Sequence, residues 1–491
     1  MSMIRVEHLS FSYGSSWDPI FEDVSFTLDT DWRLGFVGRN GRGKTTFLNL
    51  LLGKYEYSGQ IVSSVEFDYF PYPVKNPERS AGAILSEICP AAQEWELERE
   101  LSCLQVAPEV LERPFRTLSN GEQTKALLAA LFLNEGRFLL IDEPTNHLDL
   151  RARETVAAYL SRKKGFILVS HDRSVLDACV DHILALNRTD IEVQSGNFSS
   201  WMENFQRRQE FEEAQDQRLR QDIRRLESAA RRTSVWSDRV EASKSGAADR
   251  GYVGHKSAKM MKRSKTIEAR QKAAVQEKSA LLRNAEREEK LKICPLEYHS
   301  QVLARFEEAA PMYEPGNPVC QPVSFELRQG ERVVLDGRNG SGKSSLLKLL
   351  TGEKIPHTGR VSPASGLVIS YVSQDTSRLK GTLTEYAQGK GIDESTFKTL
   401  LRKLGFERVQ FEKPIEEYSG GQKKKVLIAG SLCEQAHLYI WDEPLNFIDI
   451  YSRRQIEALL LEYAPSMLLV EHDSSFRSQI STRTISLFPP L

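Results

Sequence analysis

The 491-residue chain has no long apolar run. Its longest, Ala126–Leu133, falls well short of the ~20 residues that a membrane-spanning helix needs. The first residues, MSMIRVEHLSFSY, carry no apolar core, so no secretory leader is expected. Cysteine is scarce. The six present stand apart, none in CxxC spacing, which excludes a zinc-ribbon pattern and predicts free thiols in a reducing compartment. The net charge of −1 gives the chain as a whole no pull toward a polyanion. A charged fraction of 27% and an apolar fraction of 40% are those of a globular protein, and the length accommodates two or three domains.

The near-neutral average conceals one local excess. Residues 231–265 carry ten basic groups against three acidic ones, a balance of +7, which leaves −8 on the remainder. A basic island on a balanced protein points to a polyanion at that place; a solvated linker would carry the same charge.

Ile4–Leu9 and Val24–Leu28 alternate apolar and polar, as half-buried antiparallel strands do. The apolar run Trp32–Val37 ends in Gly38-Arg-Asn40-Gly41-Arg-Gly43-Lys44-Thr45-Thr46, and a helical pattern follows through Phe47, Leu48, Leu51 and Leu52. Strand, glycine-rich loop and helix are the context a phosphate-binding loop requires. Glycines let backbone N–H groups converge on phosphate oxygens, Lys44 reaches the β- and γ-phosphates, and Thr45 offers a hydroxyl to Mg²⁺.

Further on, Arg137–Ile141 is an apolar strand that ends in Asp142 and Glu143. Its carboxyl edge is where ligand sites of open α/β sheets lie. Asp142 suits a Mg²⁺ ligand, and Glu143 can orient or polarise the water that attacks a γ-phosphate. Leu118-Ser119-Asn120-Gly121-Glu122-Gln123 precedes a helix and resembles an anion-binding N-terminus, as any capped helix does. Phe166–Ser170 is a strand that ends in His171.

The whole set recurs in order. Gly337-Arg-Asn339-Gly340-Ser-Gly342-Lys343-Ser344-Ser345 follows the strand Arg332–Leu335. Then come Tyr371-Val-Ser-Gln374, Tyr418-Ser419-Gly-Gly421-Gln422, Leu438–Asp442 with Glu443, and Leu469-Val-Glu-His472. The loop lysines stand 299 positions apart and the glutamates 300, so the chain is an internal duplication.

This order of motifs resembles the ATP-binding cassette family. GRNGRGKT is similar to its Walker A, LSNGEQ to its signature, LLIDEP to its Walker B, NHLD to its D-loop and SHD to its switch-histidine region. The resemblance implies an α/β fold with two P-loop ATPase domains of cassette type, 1–197 and 294–491, joined by a long α-helical hairpin linker, 198–293. It implies ATP and Mg²⁺ as cofactors. Tyr13 and Tyr313 would stack on adenine, Gln374 would join the Mg²⁺ and water site with Ser344 and Asp442, and His171 and His472 would act beside Glu143 and Glu443. It further implies that each P-loop is completed by the other copy's signature, Ser119 and Gly121 in one site, Ser419 and Gly421 in the other. The copies differ. Tyr72 stands where the glutamine aligns, Asn120 where Gly420 does, and the D-loops read Asn-His147-Leu-Asp149 and Asn-Phe447-Ile-Asp449. Unequal turnover is expected, with the site on the first P-loop the weaker.

Between the copies, Trp201, Phe205, Leu219, Ile223 and Leu226 step by three or four, and Ile267, Ala274, Leu281, Leu282, Ala285 and Leu291 do so on the return. This predicts an αα-hairpin whose first helix, Trp201 to about Thr233, extends roughly 50 Å. Its tip, 234–265, mixes Trp236, Tyr252, His255, Met260 and Met261 with the basic groups. That mixture favours RNA, although the aromatics can equally pack within the tip. Two fused cassettes, a charged helical linker and no membrane span resemble the ABC-F proteins. QEWELEREL, RPFRTLSNGEQTK, LIDEPTNHLDL, GFILVSHD, MKRSK and YIWDEPLN resemble the Lsa- and Vga-like resistance branch. The resemblance implies a cytoplasmic, ribosome-associated monomer whose cassettes sandwich ATP. Its partners would be 23S rRNA and P-site tRNA near the tRNA exit site, with no stable membrane partner. It would dislodge lincosamides, pleuromutilins and streptogramin A. A housekeeping translation factor and the ATPase subunit of a transporter are the alternatives.

Overall fold

The structure is a computed structural model that describes residues 2–13, 19–146, 148–187, 190–211, 214–215, 218, 221, 225, 262, 265–266, 269–270, 290–314 and 317–490. Met1–Phe198 and Arg287–Leu491 together form one compact unit, and Ser199–Glu286 form another.

Each cassette is built on a parallel sheet of apolar strands. In the first, the strand order is Glu66–Phe70, Arg137–Asp142, Phe166–Val169, Arg33–Gly38, His182–Leu186 and Ile191–Ser195, with only the last pair antiparallel. The second repeats the order as Ile369–Val372, Leu438–Asp442, Met467–Val470, Arg332–Asp336 and Arg483–Ser486, all parallel. The apolar residues of the central strands are all buried, which is why they read as continuous apolar runs rather than alternating ones.

An antiparallel sheet covers one side of each cassette. Met3–Phe11 pairs with Phe21–Asp29 and with Ser58–Ser63, in the register Ile4↔Leu28 and Val6↔Phe26. Ile4, Val6, Leu9 and Leu28 are buried, as the alternation predicts. Val302–Glu314 with Val323–Arg328 and His357–Pro363 repeat the arrangement. Phe47, packed edge-on against Phe21 and Phe36, ties the helix after the first P-loop to both sheets.

Residues 198–211 are helical, and Trp201 stacks on Phe205 with ring centroids 5.5 Å apart. The rest of the expected hairpin lies almost wholly outside the described residues, as do the tip aromatics and His147. No helix among the described residues is long and apolar enough to cross a membrane. All six cysteines are free.

Candidate functional site

The first P-loop starts where the buried strand Arg33–Gly38 runs out. Gly41 and Gly43 take φ of +82° and +102°, a region that glycine occupies without a Cβ penalty. Helix Lys44–Leu51 follows, and no side chain caps its start, so its first N–H groups stay available to an anion. Lys44 folds back over the loop, donating to the Gly38 carbonyl at 2.8 Å, the Arg39 carbonyl at 3.2 Å and Asn40 Oδ1 at 3.3 Å. The second loop repeats this. Gly340 and Gly342 are both at φ +81°, and Lys343 donates to the Gly337 and Arg338 carbonyls at 2.6 and 2.9 Å.

The carboxylates come off adjacent strand ends. Asp142 accepts hydrogen bonds from Thr45 at 2.9 Å and Tyr69 at 3.1 Å. Asp442 is hydrogen-bonded by Ser344, yet burial pushes its carboxyl up to about 6. Glu143 and Glu443 both adopt positive φ, +51° and +46°, rare for a residue with a Cβ and recurrent at functional sites. Beside them, His171 Nε2 lies 3.2 Å from Glu143 Oε1 and His472 Nε2 lies 3.5 Å from Glu443 Oε1. Tyr13 and Tyr313 bond to Thr46 and Ser345 at 2.9 and 2.5 Å, and Tyr313 leaves 68% of its surface exposed.

The two glutamates are held differently. Glu443 Oε2 accepts from Gln374 at 2.9 Å and from Asn446 at 2.6 Å. Burial raises its pKa, but the His472 hydrogen bond and the charges of His472, Lys343 and Lys424 outweigh that and hold it below the usual value. Glu143 has no such set. Burial, then the Asp142 charge, push it up to about 8. His171, buried and facing Lys44 and Arg453, is depressed well below the usual histidine range. The register explains the missing glutamine. Phe70 pairs with Ile141, the residue before Asp142, and Val372 pairs with Trp441, the residue before Asp442. Two positions further on, Tyr72 therefore stands where Gln374 does.

Each P-loop faces the other cassette's signature. Asn40, Gly41, Gly43, Lys44, Thr45 and Thr46 share a cavity of about 330 Å³ with Ser419, Gly420 and Gly421. Gly340, Lys343, Ser344 and Gln374 share one of similar volume with Asn120, Leu148 and Arg153. The two are closed to different degrees. Asn40 Nδ2 donates to the Phe447 carbonyl, 407 positions away. Arg42 pairs with Glu407 at 3.0 Å, and Arg39 lies over the Tyr451 ring. A further cross-cassette pair, Arg173–Glu457 at 3.1 Å, is largely buried. On the other side, Ser119, Gly121, Glu122 and Lys125 face Arg338 and Asn339 across a cavity of about 810 Å³.

The signature helices are capped by their own sequence. Ser119 accepts from the Glu122 N–H and Ser419 from the Gln422 N–H, each within a reciprocal capping box. The expected anion-binding N-termini therefore already spend one donor internally. Glu122 is held below its usual pKa: burial raises it, and the Ser119 hydrogen bonds more than compensate. An ionised carboxylate thus stands where the second signature has neutral Gln422.

Asn446, the Phe447 carbonyl, Lys424 and the pair Lys425–Asp449 were not marked by the motifs as site residues. Only the D-loop spacing pointed toward Asn446. Lys425 and Asp449 are 2.5 Å apart in the interior, and the Lys425 charge holds Asp449 far below the carboxylate range despite its burial. Lys424, 2% exposed, is brought down to about 8 by burial.

The site fits a phosphate-bearing ligand with a divalent cation. Buried Glu143 Oε1 and His171 Nδ1 beside the first P-loop, and Asp442 Oδ1 in the second cassette, lack hydrogen-bond partners among the described residues. Orphaned acceptors next to a lysine and uncapped amides suit Mg²⁺ and phosphate oxygens.

Comparison with known proteins agrees. A family model described as ABC transporter matches residues 21–146 and 320–446. The chain is 26% identical to the putative ATP-binding protein YdiF of Bacillus subtilis, over 99% of this chain and 80% of that protein. It is 26% identical to the ribosome protection protein VmlR of the same organism, over 95% and 83%. With ATP-binding protein Uup of Caulobacter vibrioides the identity is 28%, over 96% and 75%. Among solved structures, it resembles the archaeal ribosome recycling factor aABCE1, crystallised with the ribosomal stalk protein aP1. The TM-score is 0.64 at 20% identity, over 98% of this chain and 87% of that one, which is a likeness of fold.

Proposed function

This chain belongs to the ABC transporter family and is an ATP hydrolase, and on that premise we propose that its tandem cassettes are of the ABC-F type and that it works on the ribosome. In this reading, ATP closes the two composite sites, the closed form binds at the tRNA exit site, and the linker 198–293 reaches toward the peptidyl-transferase centre. There its tip, 234–265, displaces antibiotics of the lincosamide, pleuromutilin and streptogramin A classes by acting on 23S rRNA and P-site tRNA. The protein would be cytoplasmic and ribosome-associated, a monomer with the sandwich inside one chain.

The observation that carries the reading is the pairing of each P-loop with the opposite signature in one chain that also bears a +7 linker segment. A clamp of this kind turns binding energy into domain motion, and the basic segment gives that motion a polyanion to act on. That VmlR, aligned over nearly the whole chain, is a ribosome protection protein supports the same direction.

The residues divide the work. Lys44 and Lys343, with the loop amides, bind phosphates. Tyr13 and Tyr313 face adenine. Thr45 and Asp142, and Ser344, Gln374 and Asp442, would hold Mg²⁺, which when bound neutralises phosphate charge. Glu143 and Glu443 orient the attacking water, and His171 and His472 position those glutamates. The Gln374–Glu443–Asn446 set makes the second site the faster hydrolase; the first, without it, retains nucleotide longer.

The test is the double variant Glu143→Gln, Glu443→Gln with ATP and ribosomes. Stronger cosedimentation than wild type is expected; cosedimentation no greater than wild type refutes the mechanism. Expression in a susceptible bacterium then separates drug protection, seen as raised inhibitory concentrations for the three classes, from a housekeeping role. Copurification of a membrane protein in place of ribosomes would indicate a transporter subunit.

A further inference from the structure

The helix Gly420–Cys433 touches both ATP sites within its first turn and a half. Its N-cap, Ser419, with Gly420 and Gly421 lines the site of the first P-loop. Gly421 is wedged there so closely that a Cβ would lie 2.6 Å from Asn40 Nδ2. Nearly one turn on, Lys424 reaches the backbone of the second site. Its Nζ donates to the Ser373 carbonyl at 2.9 Å and approaches the Asp442 carbonyl at 3.4 Å. Ser373 directly precedes Gln374, and Asp442 directly precedes Glu443. Those two residues hold each other at 2.9 Å.

We propose that Lys424 is a positioning residue that couples closure of the first ATP site to hydrolysis at the second. A helix moves as a rigid body over one turn, so a push on Gly421 from the first P-loop displaces Lys424. Through two carbonyls, Lys424 then sets the backbone that carries Gln374 and Glu443. The coupling runs one way. In the first cassette the matching position is Thr124, whose side chain is too short to span the same gap. Nothing in that position can tie the first signature to Tyr72 or Glu143. The inference rests on the roles proposed above for Gln374 and Glu443 and needs no ribosome.

The experiment uses the full chain and steady-state ATP hydrolysis. Glu143→Gln keeps nucleotide bound at the first site while silencing its chemistry; Lys44→Ala denies that site its nucleotide. In the Glu143→Gln background, Lys424→Met is expected to lower kcat about tenfold with KM changed less than twofold. In the Lys44→Ala background the same substitution should change kcat less than twofold, because there is no closure to transmit. Lys424→Arg, which keeps the donors, should recover at least a third of the rate. Equal loss in both backgrounds would overturn the coupling and leave a purely structural lysine. A lowered melting temperature with weakened ATP binding in Lys424→Met would overturn it too, unless Lys424→Arg restores coupling. Glu443→Gln is the control. If it fails to reduce hydrolysis, the assignment of the second site fails instead, independently of Lys424.

Discussion

The unequal closure of the two sites can be tested with a single methyl group. In Gly421→Ala the new Cβ would sit 2.4 Å from the Phe447 carbonyl oxygen and 2.6 Å from Asn40 Nδ2. Both are closer than packed atoms approach, and the first is backbone of the same cassette's D-loop, so that loop must shift and carry the Phe447 carbonyl away from Asn40. Two costs follow. Overpacking in a tight contact is worth about 1–3 kcal/mol. Losing the Asn40 hydrogen bond to the Phe447 carbonyl leaves a semi-buried acceptor, at about 1 kcal/mol more. The first cost falls within one cassette; the second, about 1 kcal/mol, opposes closure directly and corresponds to a roughly fivefold shift in the closed population, more where the displaced D-loop loosens the rest of the contact. In Gly121→Ala the nearest atom is Leu148 Cδ2 at 3.5 Å, an ordinary contact, so about the wild-type closure is expected. The assay is ATP retention after rapid dilution in the Glu143→Gln, Glu443→Gln background, with each alanine added. Gly421→Ala should release nucleotide much faster and Gly121→Ala should not. Equal effects from the two alanines would refute the asymmetry.

Other outcomes follow from neighbouring contacts. Glu443→Gln should cut total ATP hydrolysis by about 10²-fold or more, and Glu143→Gln by less than about tenfold, since only Glu443 carries the glutamine and asparagine contacts; single-turnover rates decide this. Asp449→Asn leaves Lys425 buried beside a neutral amide, at about 3–5 kcal/mol, and should lower Tm by roughly 10 °C. Asp449 is a carboxylate depressed on folding. Its contribution is therefore complete above the unfolded value of about 4 and is lost only as pH falls below that, so the Tm difference should stay constant from about pH 5 to 8. Arg173→Ala strips Glu457 of its cation across the cassette boundary. The cost to closure should be about 2 kcal/mol, the low end for a buried pair, because burial already raises Glu457 toward taking up a proton; nucleotide retention measures it.

Much of the site was legible because its parts are local. A P-loop needs an apolar strand, glycines that tolerate positive φ and a lysine within nine consecutive residues, and Gly41, Gly43, Gly340 and Gly342 adopt those angles. The carboxylates at Asp142 and Asp442 end strands recognisable by composition alone. Tyr72 was identified as the departure from glutamine by counting, and strand register confirms the alignment. The signature helices were less legible. Their serine caps were expected to offer the N-terminus to an anion, and the capping boxes take part of that capacity. Asn446 was marked only by the D-loop spacing; Lys424 and the Phe447 carbonyl had no signal, because a lysine in a polar helix and a backbone oxygen look like any other.

By itself, the sequence determined that this protein carries two copies of one phosphate-binding apparatus, which copy keeps the glutamine, and where the unmatched basic segment lies. Those are properties of residue type over short stretches, where sterics and hydrogen bonding are local. Only the tertiary structure decided which loop closes tightly on which signature. It also decided why Glu143 is driven up to about 8 while Glu443, likewise withdrawn from solvent, is held down. The glutamates differ through burial and through charges brought together across tens to about a hundred positions, His472, Lys343 and Lys424 around Glu443, and the closure differs through contacts across about 400, such as Asn40 against Phe447. Burial multiplies the effect of each such neighbour, and no neighbour is visible until the chain has folded.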